Sequence, residues 1–219
     1  MVQTCDWSPP FPIQTPVITL AIPVSSPKNS VRSGLTSSTT LPIAMATTGR
    51  QGRKFGNKRA EKIDGFTCAV GSGGTLGGVA RALKERNPAV RIALSDPMGA
   101  ALYNWFTKGE LTTEGDSITE GIGQVRVTRN LEGTPIDAAY RITDEEALPV
   151  LFDLIEYEGL VLGGSSAINI VGAMRLARDL GPGKTIVTIL ADGGQRYQSK
   201  LFNPGFLRKK NLPTPRWMG

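Results

Sequence analysis

The stretch Val70-Gly71-Ser72-Gly73-Gly74-Thr75-Leu76-Gly77-Gly78 decides how the rest of the chain is read. Residues 66–70 form a short apolar strand candidate, and residues 78–86 carry a helical pattern. Between them, glycines let the backbone approach a ligand and turn several N–H groups inward. The helix that follows adds the positive end of its dipole. Together these features suit a phosphate group, with the Ser72 and Thr75 hydroxyls as further donors. A tight turn packed closely against its neighbours needs glycines just as much, and the glycines alone do not separate the two. A dinucleotide site expects G-x-G-x-x-G and an acid roughly 20 residues on. Here Leu76 stands where the third glycine belongs. Asp96 lies near the acidic position, and it equally suits a cap on the segment after it.

Outward from this loop, strand and helix signals alternate. Residues 91–94 read as a strand, 97–108 as a helix, 114–126 as a glycine-bearing loop and 138–142 as a strand. Thr143-Asp144-Glu145-Glu146 opens a helix with a capping-box pattern. Residues 165–179 form an amphipathic helix that ends at Gly181-Pro182-Gly183, with Ser165 placed as its cap. Residues 184–190 are the clearest buried strand, followed by the glycine loop Asp192-Gly193-Gly194 and short helices. The alternation predicts an α/β fold with an open, mostly parallel sheet flanked by helices.

The chain has 219 residues and no histidine, which excludes Ser-His-Asp and Cys-His catalysis and most zinc sites. Its two cysteines, Cys5 and Cys68, make neither a disulfide framework nor a metal cluster, so no metal site is assigned. Cys68 sits in an apolar run and reads as a buried core residue. The formal net charge is +6. Residues 1–62 hold eight Lys and Arg against two Asp and Glu, and the rest hold 17 of each, so the whole excess lies in the first segment. A nucleic-acid surface on the folded part is therefore not indicated. No apolar run reaches the roughly 18 residues of a membrane helix.

Residues 1–62 read as a disordered leader ahead of an α/β domain at 63–219. Ser, Thr, Pro and Gly dominate it, and Pro9, Pro10, Pro12, Pro16 and Pro23 interrupt any periodic element. The composition also suits an organelle transit peptide; otherwise a cytoplasmic location is expected.

Residues 66–79 resemble the phosphate loop of fold-type-II pyridoxal 5'-phosphate (PLP) enzymes, the tryptophan-synthase-β-like family. Ser95-Asp96-Pro97-Met98-Gly99-Ala100, Glu120-Gly121-Ile122-Gly123, residues 158–166 and Arg196-Tyr197-Gln198-Ser199-Lys200-Leu201-Phe202 follow in that family's order and spacing. The resemblance is strongest to cysteine synthase, O-acetylserine sulfhydrylase, and runs from residue 63 through the C-terminus. It implies that Gly71, Ser72, Gly73, Gly74 and Thr75 cradle the PLP phosphate, and that the Gly121-Ile122-Gly123 backbone borders the ring. It places Gly193 where many relatives carry a serine or threonine facing the pyridine nitrogen. Asp192 substitutes only if it turns inward, and a solvated loop acid is the simpler expectation.

The reaction so implied is β-replacement, making L-cysteine from O-acetyl-L-serine and sulfide. Relatives are commonly homodimers and bind the serine acetyltransferase tail at the active-site mouth. Cystathionine β-synthase and serine/threonine dehydratase are the neighbouring activities, a partner-binding or pseudogene remnant the non-enzymatic one, and a nicotinamide-dinucleotide domain a distant one. In the family, the lysine that holds PLP covalently and the loop that holds the substrate carboxylate lie upstream of the phosphate loop. Neither pattern occurs in residues 1–62, where Lys28 sits in Ser-Pro-Lys-Asn-Ser. No catalytic residue is assigned, and a fragment inactive alone is expected.

The leader holds a further clue. The family carries a segment close to DQFDNVANRDGHYRTTGPEIWEQTGGK just before the first strand. Codons CTG ACC AGT TCG ACA ACG encode Leu35-Thr36-Ser37-Ser38-Thr39-Thr40. Read two bases later, they give GAC CAG TTC GAC AAC, and the match continues to the lysine before Ile63. The hypothesis is that residues 35–62 are an out-of-frame translation. Genomic reads with an uninterrupted frame there would contradict it.

Overall fold

The computed structural model of the protein describes residues 6–7, 17–21 and 63–219. Strands β3 (Gly65–Cys68), β4 (Arg91–Pro97), β5 (Ala138–Ile142) and β6 (Thr185–Ile189) are joined by parallel pairing in the spatial order β6-β3-β4-β5. Strand β2 (Val17–Ala21) adds in parallel to β6, and β1 (Asp6–Trp7) adds antiparallel to β2. The sheet is therefore mostly parallel, as the alternation of elements predicts. The leader's prolines do not interrupt β2. Pro16 and Pro23 bracket a run of β-branched and apolar residues that suits a strand. The remaining leader expectations, including the reading of residues 35–62, lie outside the described residues.

Helices α1 (Gly74–Arg86), α2 (Leu102–Lys108), α3 (Asp144–Glu158), α4 (Gly164–Leu180) and α5 (Pro204–Lys209) complete the fold. Alternate strand residues face opposite sides of the sheet. Phe66, Cys68, Ile92 and Leu94 pack with Leu76, Val79 and Leu83 of α1. Ala93 and Ile186 pack with Ile170, Ala173 and Leu176 of α4 on the other side. Burial on both faces is what a parallel sheet between helices requires. Cys68 is buried in this core, and burial pushes its thiol up to about 12, so it is an inert filler as expected.

Helix α4 lies across β3, β4 and β6. It approaches so closely that a Cβ on Gly172 would stand 1.8 Å from Ser95 Oγ. That hydroxyl is itself fixed, 2.7 Å from Thr67 Oγ1 inside the sheet. The capping box of α3 forms as predicted. Thr143 Oγ1 accepts from Glu146 N and Glu146 Oε2 accepts from Thr143 N. Two helix starts differ from the sequence pattern. Helix α2 begins at Leu102 and not at residue 97, because Pro97 ends β4 and Gly99 turns with φ 80°. Helix α4 begins at Gly164 with Gly163 at its cap. Ser165 is thus a residue of the helix and not its cap.

Chain order sets where a ligand can enter. The path runs β3, β4, β5 in one direction across the sheet, then returns through α3 and α4 to place β6 on the other side of β3. The connections leaving β3 and β6 therefore diverge to opposite sides. In an open α/β sheet, this reversal leaves a crevice at the carboxyl ends of the two strands.

Candidate functional site

Two glycine loops leave the carboxyl ends of β3 and β6 and so flank that crevice: Gly71 to Thr75 and Asp192 to Gly194. Asn169 of α4 ties their bases together. Its side-chain oxygen accepts from Ala69 N at 2.6 Å, and its amide donates to Ile189 O at 2.7 Å. Ser166 Oγ adds a bond from Ala191 N at 3.1 Å. Sequence reasoning did not single out Asn169. A polar residue on the apolar face of a helix was the available signal.

The first loop joins β3 to α1 and runs through Gly71-Ser72-Gly73-Gly74, four consecutive residues of which three are glycine. Gly73 takes φ 80°, a conformation that disfavours any side chain, and hands over to α1 at Gly74. No side chain caps α1 through Gly73, and its first turn holds no acid. The start of this 13-residue helix therefore presents backbone donors and positive dipole without a competing carboxylate. Ser72 is exposed and Thr75 half-buried, so neither side chain is enclosed in the core. The cup is held from behind. Thr128 Oγ1 and Asn130 Nδ2 both donate to Ser72 O, at 2.9 and 2.8 Å. Neither residue stood out in the sequence, because such links across more than 50 positions leave no periodic trace.

The loop of Gly121 and Gly123 closes one side. Gly123 N donates to Val70 O at 3.0 Å, two residues past the end of β3. A Cβ on Gly71 would lie 2.7 Å from Gly121 O, so only glycine lets the two loops meet. Both Gly121 (φ 79°) and Gly123 (φ 86°) use left-handed backbone. Lys200 forms an ion pair with Glu120 beside them.

The second glycine loop pairs Gly193 with Leu162 in an antiparallel bridge. Gly163 N donates to Asp192 O, and Gly194 N to Val161 O, each at 3.0 Å. Asp192 is not the solvated loop acid expected from the sequence. It is half-buried, accepts from the Tyr197 hydroxyl at 2.6 Å, and lies 3.5 Å from Ser165 Oγ. A Cβ on Gly163 would meet its Oδ1 at 2.3 Å, so the carboxylate turns against the start of α4. That hydrogen bond, with burial, pushes the Tyr197 phenol up to about 12.

Asp96 serves as the structural cap of the two sequence alternatives. It is fully buried, and its Oδ2 accepts from Tyr103 N at 2.8 Å in the first turn of α2. It is not displayed to a nucleotide ribose. Burial raises its carboxyl to about 7.

A PLP phosphate fits this donor set: a helix start with no side-chain cap at Gly73 and a long 3.5 Å bond from Gly74 N to Ser72 Oγ, glycines where a Cβ would strike neighbouring loops, and two hydroxyls in the same turn. The profile described as pyridoxal-phosphate dependent enzyme matches residues 30–192. Cysteine synthase 2 of Schizosaccharomyces pombe is 45% identical over 166 residues, covering 70% of this chain and 42% of that protein. Cysteine synthase 1 of Neurospora crassa is 44% identical over 156 residues, covering 69% and 42%. The crystal structure of an O-acetylserine dependent cystathionine beta-synthase from Helicobacter pylori superposes with a TM-score of 0.66 at 32% identity, over 72% of this chain and 49% of that one. The chain thus spans less than half the length of these relatives.

Proposed function

We propose, for a chain that belongs to the pyridoxal-phosphate dependent enzyme family, that it supplies the phosphate and ring-wall half of a cysteine-synthase site. The backbone of Gly71, Ser72, Gly73, Gly74 and Thr75 binds the phosphate, and the Ser72 and Thr75 hydroxyls donate to it. The Gly121-Ile122-Gly123 backbone would border the ring. Gly193 has no side chain to offer the pyridine nitrogen, and the Asp192 carboxylate is taken up by Tyr197. When bound, PLP supplies the electron sink for β-replacement, the conversion of O-acetyl-L-serine and sulfide to L-cysteine. This chain's residues bind and orient the cofactor. None of the described residues is assigned the proton transfers or the covalent hold.

The observation that supports this reading most is the meeting of Gly71 with the Gly121 carbonyl beside the uncapped start of α1. It brings the Gly121 loop against the base of the glycine loop, on the side proposed here for the ring. The likeness to an O-acetylserine dependent cystathionine beta-synthase favours a second reading, with the same amino-acid substrate and a thiol in place of sulfide. The serine acetyltransferase tail and a homodimer belong to the same proposal, as properties of the longer relatives.

The test is absorbance of the full chain mixed with PLP, before and after borohydride reduction, with inorganic phosphate as competitor. The expected result is phosphate-displaceable binding without a stoichiometric adduct at one lysine. A single-site, non-dialysable adduct would show that a functional lysine is present. Binding indifferent to phosphate would remove the cup from the proposal.

A further inference from the structure

We propose that Asp144 is a positioning residue for the cofactor, holding the strap of residues 117–123 in the shape that sets Gly121 and Ile122 beside the pyridine ring. The inference rests on the cofactor reading above. Asp144 occupies the first position of α3, and the capping box there is complete without it, since Thr143 and Glu146 satisfy one another. Yet Asp144 is only 7% exposed, whereas carboxylates at helix starts ordinarily face water, with the dipole already favouring them.

What it does instead is grip the strap. Oδ1 accepts from Ser117 Oγ at 2.6 Å, and Oδ2 accepts from Ile118 N at 2.7 Å. Ser117 Oγ accepts in turn from Thr119 N at 3.0 Å, so three consecutive residues are set by one carboxylate. At its other end the strap is fixed by the bond from Gly123 N to Val70 O at 3.0 Å. Between these anchors stands Gly121, in left-handed backbone with open space around its missing Cβ. The Lys200–Glu120 pair beside it is about half exposed and holds little. Ile118 and Ile122 rest against the apolar core, so the strap has a packed side, and the two polar anchors set the backbone of the Gly121-Ile122 peptides along it; a glycine set free samples many alternatives.

The geometry separates two ligands. A bare phosphate needs only the cup of Gly71 to Thr75, which Thr128 and Asn130 hold from behind. A phosphate that carries a pyridine ring also needs the strap. Pyridoxine 5'-phosphate, which lacks the aldehyde and makes no lysine adduct, reports on cup and strap together. Inorganic phosphate reports on the cup alone.

The experiment measures both affinities by titration calorimetry on the full chain, its Asp144→Asn variant and its Ser117→Ala variant. Asparagine keeps the shape of Asp144 but has one acceptor oxygen for two donors. Losing a charge-assisted bond and loosening the strap should weaken pyridoxine 5'-phosphate roughly tenfold. Inorganic phosphate should keep its affinity. Ser117→Ala should move in the same direction by a smaller factor, and it decides the matter if Asp144→Asn does not fold. Equal losses for both ligands would make Asp144 a merely structural residue and overturn the proposal. So would unchanged affinity for pyridoxine 5'-phosphate. A parent chain that binds neither ligand would instead refute the cup itself, and the proposal with it.

Discussion

Replacing Gly71 by alanine separates the two walls of the site, and the size of the effect follows from the contacts described. Gly71 does not use left-handed backbone, so alanine meets no conformational penalty of its own. The obstacle is a single atom: the new Cβ would lie 2.7 Å from Gly121 O, against 3.4 Å where ordinary contact begins. The strap must retreat by the difference, about 0.7 Å. Two residues on, the bond from Gly123 N to Val70 O has little slack at 3.0 Å and is lost if the strap moves as a body. A lost backbone bond costs roughly 1 kcal/mol, and overpacking adds about 1–3 kcal/mol. Alanine restores about 0.4–1 kcal/mol by restricting the unfolded chain. The net is a destabilisation of about 1–4 kcal/mol, a fall in Tm of roughly 2–14 °C for a chain of this size. Displacing the strap should also weaken pyridoxine 5'-phosphate more than inorganic phosphate. Calorimetric melting and ligand titration on the same samples read both effects. A variant with unchanged Tm and unchanged affinity for both ligands would refute the close approach of Gly71 to the Gly121 peptide.

Two further predictions concern the frame around the cup. Asp96 has its carboxyl raised by burial from 3.8 to about 7, so its contribution to stability is complete below the unfolded value and is lost as pH rises through the folded one. Urea unfolding from about pH 5 to about pH 8 should show the parent losing on the order of 3 kcal/mol relative to Asp96→Asn, and parallel curves would contradict this. Thr143→Ala dismantles the capping box of α3 and should cost about 1 kcal/mol. It should leave the affinity for pyridoxine 5'-phosphate unchanged, because the hold of Asp144 on Ser117 and Ile118 does not pass through Thr143.

The parts of the fold that follow from local chemistry were legible in the sequence. Residues 138–142 and the start of α3 stand where alternation and the capping box put them. The order of strand, glycine run and helix was legible, but the glycines by themselves suited a tightly packed turn as well as a phosphate cup. Helix starts were less so: α1 begins inside the glycine run, at Gly74, where propensity argues against a helix and the β3–α1 geometry prevails. Long-range side-chain bonds were not legible at all. Asn169 and Asn130 carried no reading and Asp144 read only as part of the capping-box start, while their partners lie 26 to 100 positions away. Asp192 was misread for the same reason. The phenol that draws it inward is only five residues on, but the turn that brings Tyr197 back is a tertiary feature.

The central position of β3 has a consequence for how such a chain comes into being. Its neighbour on one side, β6, pairs with it across 121 positions, as the bond from Thr185 N to Asp64 records. Closing a loop of that length costs roughly 4 kcal/mol of chain entropy, and contacts so distant form slowly. On the ribosome, the glycine run at Gly71 emerges well before the strand that will complete its crevice. Through that interval the nascent segment carries an exposed apolar strand edge beside Phe66 and Cys68, the kind of surface that chaperones recognise and that aggregates when left alone. The crevice between the two glycine loops is thus among the last features to exist, formed after the Gly71 to Thr75 loop and its supports Thr128 and Asn130 have already emerged.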